Sequence, residues 1–159
     1  MTTRAETLEA LAETSPAEAV AQALSALESL QVEDGIILAM TCVQIVARHG
    51  TGADAPRLKA LRPGLPAIVA LRDWRFEASY AIRVLEGRAR GECACEAPAA
   101  SGDRPIPDAF EVLSETLGDW ITTSLVRCPA CDRRYSVRRD DGYHYPTFSW
   151  ATSPAAGAR

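Results

Sequence analysis

The first 90 residues place apolar side chains at the three- and four-residue spacing of amphipathic helices. One helix is predicted to begin at Ser15, because Ser15-Pro-Ala-Glu18 has the pattern of a capping box with proline at the first helical position. Its apolar face contains Val20, Ala23, Leu24, Leu27 and Leu30. The next segment, from about Gly35 to His49, is apolar on nearly all sides, which predicts a helix buried between others.

Two more helical segments complete this half of the chain. One runs from Ala55 to Leu61, breaks at Pro63-Gly64 and resumes over residues 65–71. The last has an inner face that contains Trp74, Ala78, Ala81, Ile82 and Leu85, and it ends at Gly87. We expect Cys42 to be a small buried residue. The predicted core of the helical half contains Ile37, Leu38, Val43, Val46, Ile82 and Leu85.

After Gly91 the pattern changes to short strand-like runs separated by turns. Strands are predicted at Phe110–Glu115, Trp120–Arg127, Tyr135–Arg139 and Tyr143–Tyr145, the last two joined by a turn at Asp140–Gly142. Phe148 and Trp150 are expected to add apolar cover. The whole pattern predicts an α+β chain with an all-helical domain over residues 1–90, a small antiparallel β domain over 91–151 and a flexible tail over 152–159.

Four of the five cysteines form two close pairs, Cys93-Ala-Cys95 and Cys128-Pro-Ala-Cys131. Zn²⁺ prefers four thiolate ligands at the corners of a tetrahedron, and two such pairs can supply them. The sequence therefore predicts one zinc ion held by Cys93, Cys95, Cys128 and Cys131. With all four positions taken by protein ligands, the ion has no place for substrate, so its role is structural.

The second pair lies between strand-like residues and resembles the knuckle of a zinc ribbon. The one-residue spacer of the first pair departs from the usual ribbon, as does Asp132, which stands where glycine often follows. His144 is an alternative ligand. Cys-Pro-Ala-Cys also resembles a glutaredoxin-type redox site, but strand-like residues follow it here, whereas the redox site precedes a helix.

The helical half contains a weak internal similarity. Residues 39–46 and 78–85 share an order of small, apolar and polar residues at a spacing of 39. A period near 40 built of helix pairs resembles HEAT or armadillo repeats. An ordinary helical bundle would give much of the same pattern and remains the alternative.

Composition and charge limit the compartment and the origin of the chain. The longest apolar stretch, from Ile36 to Ala47, is too short to span a bilayer, and the polar N-terminus has no signal-peptide core. We therefore expect a cytoplasmic protein with no membrane segment, where reduced cysteines serve as metal ligands. The strong preference for arginine over lysine and the abundant alanine are typical of a GC-rich bacterial genome.

No enzyme motif is present, which favours a non-catalytic protein. The first interpretation is a protein-binding module, with an acidic start and a basic middle that suit a polarised partner such as a toxin or effector; the chain would then be an immunity protein or adaptor. The alternative is nucleic-acid binding through a basic cluster around the second cysteine pair. That cluster contains Arg127, Arg133, Arg134, Arg138 and Arg139. The pI of about 5.2 favours protein binding.

Overall fold

A computed structural model describes residues 2–31, 34–64, 74–142 and 144–153. The chain divides into two compact units, Met1–Glu92 and Cys93–Arg159. The first unit is helical, and the second contains an antiparallel sheet. The predicted α+β class is therefore confirmed. Among the described residues, no helix has both the length and the apolar composition needed to cross a membrane.

The described part of the first unit contains five α-helices and two short 3₁₀ turns. The helices are α1 (Arg4–Thr14), α2 (Pro16–Glu28), α3 (Gly35–His49), α4 (Ala55–Leu61) and α5 (Trp74–Ala89). The 3₁₀ turns, Gly52–Asp54 and Arg62–Gly64, flank α4. The helical segment predicted over residues 65–71 lies outside the described residues.

The capping box lies at the start of α1, one helix earlier than predicted. The Thr3 Oγ1 atom accepts the Glu6 N–H at 3.2 Å, and the Glu6 carboxylate accepts the Thr3 N–H at 2.6 Å. The capping box predicted at Ser15 is wrong, because the Ser15 side chain makes no capping hydrogen bond. Ser15 is the only residue between α1 and α2, and its N–H donates to the Leu11 carbonyl at 2.7 Å. Its conformation is therefore set by the end of α1.

The apolar face predicted for α2 is buried, and five of the six predicted core residues elsewhere are buried as well. Ile37 is the exception, at 73% exposure. It shares an exposed stripe of α3 with Gln44 and Arg48, seven and eleven residues further on, so α3 has one solvent face after all. Cys42 is fully buried, as predicted. The Trp74 side chain lies outside the described residues.

The end of α3 is tied to α5. Gly50 ends α3, as the sequence predicts, and the Arg88 guanidinium of α5 donates to the Gly50 carbonyl at 2.7 Å and to the Arg48 carbonyl at 3.1 Å. These bonds satisfy two carbonyls that the helix leaves open and place a cation at the negative end of its dipole. The two similar segments, 39–46 and 78–85, thus lie in helices that pack against each other.

The second unit begins with a short helix, α6 (Glu96–Ser101), and continues as a four-stranded sheet. Neighbouring strands pair in chain order, and each pair is antiparallel. The strands are β1 (Glu111–Leu117), β2 (Ile121–Arg127), β3 (Arg134–Asp140) and β4 (Thr147–Ser153).

The strand predicted at Tyr143–Tyr145 is wrong at His144 and Tyr145, which lie in a bend, and Tyr143 lies outside the described residues. β3 extends to Asp140, which pairs with Thr147, so the strand that pairs with β3 begins after the predicted one. Phe148 and Trp150, predicted as loose cover, are strand residues of β4. β4 also contains Thr152 and Ser153, which the sequence reading placed in the tail.

The core of the second unit lies on one face of this sheet. Val126, Tyr135 and Val137 are buried there. Phe110 packs edge-on against Tyr135 and Trp150, with ring centroids 6.1 and 5.5 Å away. This core is small, so the unit gains only a modest stabilisation from apolar burial.

Candidate metal centre

The structure brings together the four cysteines that the sequence paired. Their four Sγ atoms all lie within 4.8 Å of one another. Sulfur atoms of different pairs lie close together, with Cys93 and Cys128 at 3.6 Å and Cys95 and Cys131 at 3.5 Å. Cys42, the fifth cysteine, lies in α3 of the helical unit.

The four sulfur atoms have the spacing that a tetrahedral metal site requires. A tetrahedron with metal–sulfur distances of about 2.3 Å separates its sulfur atoms by about 3.8 Å. The two close distances lie slightly below this value, and the 4.8 Å limit lies above it. Within the part of the chain that the structure describes, this cluster contains thiols alone, and the exposed His144 is not one of its members.

The second cysteine pair lies in a tight turn between β2 and β3. The Cys128 carbonyl accepts the Asp132 N–H at 2.8 Å, and the Cys128 N–H donates to the Arg133 carbonyl at 2.9 Å. Asp132 adopts a left-handed conformation, with φ of +59°. Aspartate tolerates that region better than most residues other than glycine, so Asp132 can occupy this position of the turn.

The first cysteine pair has a different local structure, a turn that leads into α6. The Cys93 carbonyl accepts the Glu96 N–H at 3.0 Å, and Cys95 is the residue that precedes the first turn of α6. Only one of the two pairs therefore lies between strands. The sequence reading did not predict α6, although the small residues that follow Glu96 are compatible with a short helix.

The four thiols have unequal surroundings. Cys95 and Cys128 are buried, Cys93 is partly buried and Cys131 is exposed. A hydrogen bond from the Cys95 backbone N–H lowers the pKa of the Cys93 thiol to about 7. Burial raises the pKa of the Cys95 thiol above its ordinary value. Cys93 is thus the easier of these two thiols to ionise, as metal binding requires.

Tyr135 contributes to the site from outside the cysteine cluster. Its hydroxyl lies 3.3 Å from the Cys95 Sγ atom in a buried contact. Burial raises the pKa of Tyr135, which keeps the hydroxyl protonated and able to donate to a thiolate. Because Tyr135 lies 40 residues from Cys95 along the chain, no local pattern could reveal this contact.

The five arginines of the predicted basic cluster do not form one free basic surface. On β3, Arg138 and Arg139 point to opposite faces of the sheet because neighbouring residues of a strand alternate. Four of the five arginines contact acidic side chains. These pairs are Arg127 with Glu111 at 2.9 Å and Asp132 at 3.3 Å, Arg133 with Glu96 at 2.7 Å, Arg138 with Asp140 at 3.0 Å and Arg139 with Asp141 at 2.9 Å.

Comparisons with protein-family models, curated proteins and solved structures find no match to this chain. The candidate metal centre is therefore defined by its own geometry. That geometry consists of four converging thiols, a β turn with a left-handed residue and a tyrosine hydroxyl directed at one sulfur.

Proposed function

We propose that this chain is a non-catalytic zinc-binding protein that acts by binding another protein. One zinc ion held by Cys93, Cys95, Cys128 and Cys131 would join the α6 turn to the β2–β3 turn. The observation that carries the proposal is the convergence of these four Sγ atoms to within 4.8 Å. A set of four thiolates favours a soft or borderline metal over magnesium or calcium.

The donor set supports a structural role for the metal. A bound zinc ion would stabilise the folded state of the second unit, whose apolar core is small. Four cysteine ligands leave no coordination position for a substrate, so the site suits stability and not hydrolysis. The protein's activity would then depend on its surfaces.

The ion pairs of the arginines in the basic cluster favour protein binding over nucleic-acid binding. Four of the five arginines that would contact phosphate are already engaged with carboxylates of the same unit. Counterion release, the main source of nucleic-acid affinity, needs cations that are free to meet phosphate. We also propose, from size and charge alone, that the partner is a bacterial toxin or effector and the chain its immunity protein or adaptor.

Metal analysis of cysteine variants tests the zinc site. We expect about one zinc per purified chain. Cys128→Ser should lose that zinc, whereas Cys42→Ala, which changes the buried cysteine of α3, should keep it. A protein without zinc, or equal zinc content in the two variants, would contradict the proposal.

Salt titration tests the choice between the two kinds of partner. The intact protein should bind DNA or RNA only weakly and lose that binding as salt rises. A physiological protein partner should stay bound at about 0.15 M salt, since packed apolar contacts outlast screened charges. Sub-micromolar, sequence-selective nucleic-acid binding at this salt, lost when Arg133, Arg134 and Arg138 are changed together to glutamine, would support the alternative.

A further inference from the structure

The two outer strands of the sheet differ in how their edges are covered. At β4 the Phe148 N–H donates to the Asp103 carboxylate at 3.0 Å, and the Trp150 indole N–H donates to the Arg104 carbonyl at 2.8 Å. At β1, within the described residues, the backbone groups that point away from β2 have no hydrogen-bond partner. β1 thus presents an open row of donors and acceptors to any strand that lies beside it.

Three of the seven side chains of β1, Val112, Leu113 and Leu117, are apolar and exposed. All seven of its residues are exposed, and Val112 and Leu117 are 52% and 74% accessible. Val112 pairs with the buried Val126 and therefore lies on the same face of the sheet as the core, but its own side chain is exposed. At the turn into β2, Trp120 is 67% exposed. Val112, Leu117 and Trp120 thus give this edge exposed apolar side chains that a bound strand would cover.

The charge along this edge has one sign. Residues 105–121 contain no lysine or arginine and four acids, Asp108, Glu111, Glu115 and Asp119. Glu111 is paired with Arg127, and Glu115 accepts the Ser124 hydroxyl. In the described part of the chain, no cation lies within salt-bridge distance of Asp108, Glu115 or Asp119. The edge is therefore apolar and acidic at once.

From these three features we propose that β1 is a docking edge for an extended strand of another protein, one whose facing side carries apolar residues opposite Val112 and Leu117 and a lysine or arginine opposite Glu115. The open backbone groups select a strand, Val112 and Leu117 contact its apolar side chains, and the acids attract its cations. This inference rests on the proposed protein-binding function and names the surface and the chemistry of the partner.

A second copy of this chain is a poorer occupant. Two β1 strands placed side by side would bring Glu111, Glu115 and Asp119 of both copies along one junction, and like charges across a strand pair are destabilising. A heterologous basic strand does not meet this like-charge repulsion.

Peptide binding followed by amide NMR tests the inference on the full zinc-loaded chain. The probe is a blocked peptide in which valine and lysine alternate along one face with threonine between them, long enough to pair with the seven residues of β1. We expect amide shifts concentrated in Glu111–Leu117 and at the Trp120 indole. A peptide with glutamate in place of lysine should bind far more weakly, as should one interrupted by proline, which cannot complete the ladder.

Two lysine substitutions provide the matched pair of variants. Leu117→Lys should weaken peptide binding by about tenfold to a hundredfold, because it removes apolar contact and adds repulsion. Ile37→Lys alters a residue of similar exposure, 73%, in the helical unit and should leave binding unchanged. Unaltered spectra elsewhere would show that both variants are folded.

The inference fails if the peptide shifts amide signals outside β1, or if both variants bind the peptide equally well. It also fails if the amide signals of β1 change with protein concentration alone, because the chain then self-associates through this edge. It also fails if no peptide binds. Zinc content and retention of a protein partner at moderate salt are measured on the same samples. If the protein contains zinc and retains a protein partner but does not bind the peptide, only the assignment of β1 as the docking edge is wrong. If the protein lacks zinc or a partner, the proposed function is contradicted.

Discussion

At the scale of single residues, the four thiols of the cluster differ because each meets a different element. Cys95 is buried with its Sγ atom 3.3 Å from the Tyr135 hydroxyl, whereas Cys131 is exposed in the β2–β3 turn. A hydrogen bond to a ligating thiolate spreads its charge and fixes its orientation. The Tyr135 hydroxyl is therefore a positioning group for Cys95.

Removing that hydroxyl should weaken metal binding without disturbing the aromatic packing. We expect Tyr135→Phe to lower zinc affinity by about tenfold, within the usual range for a lost outer-shell partner. Chelator competition measures this change, and the thiolate charge-transfer band of the cobalt-substituted protein should shift with it. Tyr145→Phe, at a tyrosine that is 53% exposed, is the control and should change neither quantity. Identical behaviour of the two variants would show that Tyr135 only packs.

At the scale of elements, α3 shows how packing decides which apolar residues are inside. The helix packs against α1, α2 and α5, which leaves one stripe uncovered. Ile37 falls on that stripe and Val43 on the buried side. The sequence of α3 is nearly uniform in hydropathy, so it could not reveal which stripe faces solvent.

Alanine substitutions at buried and exposed positions should differ in their effect on the free energy of unfolding. Leu85→Ala should lower the free energy of unfolding by about 2–5 kcal/mol, and Val43→Ala by somewhat less, since both side chains are almost wholly buried. Ile37→Ala should change it by no more than about 0.5 kcal/mol. Denaturant unfolding followed by helical circular dichroism measures all three. A large cost at Ile37 would mean that a partner or second copy covers this stripe.

At the scale of the whole molecule, the two units draw on different sources of stability. The helical unit buries a long series of apolar residues from α1 to α5. The sheet unit buries a small cluster in which two of the five core members are cysteines of the candidate metal centre. A bound metal would therefore matter far more to the second unit than to the first.

Metal removal should unfold one unit and spare the other. After treatment with a chelator under reducing conditions, we expect amide signals of residues 93–153 to lose their dispersion, while those of the helical unit persist. Helical circular dichroism should fall only slightly. Restoring zinc should return the sheet signals, and Cys42→Ala should behave like the unaltered protein. An apo protein with an intact sheet would show that apolar packing alone holds the unit.

The sequence by itself determined the features that depend on local periodicity and residue chemistry. The 3.6-residue spacing in α2, the strand-turn-strand pattern around Cys128 and Cys131 and the pairing of cysteines all follow from neighbours along the chain. So do the helical first half and the β-rich second half. These elements need no long-range information, because their signals lie within one or two turns or strands.

Tertiary structure decided everything that depends on which elements meet. It placed Ile37 outside, moved the last strand to Thr147–Ser153 and set Tyr135 against Cys95. It also paired four of the five arginines of the basic cluster with acids and left β1 as the open edge. A side chain's exposure, partner and charge environment are set by residues distant in sequence, and those contacts exist only once the chain has folded.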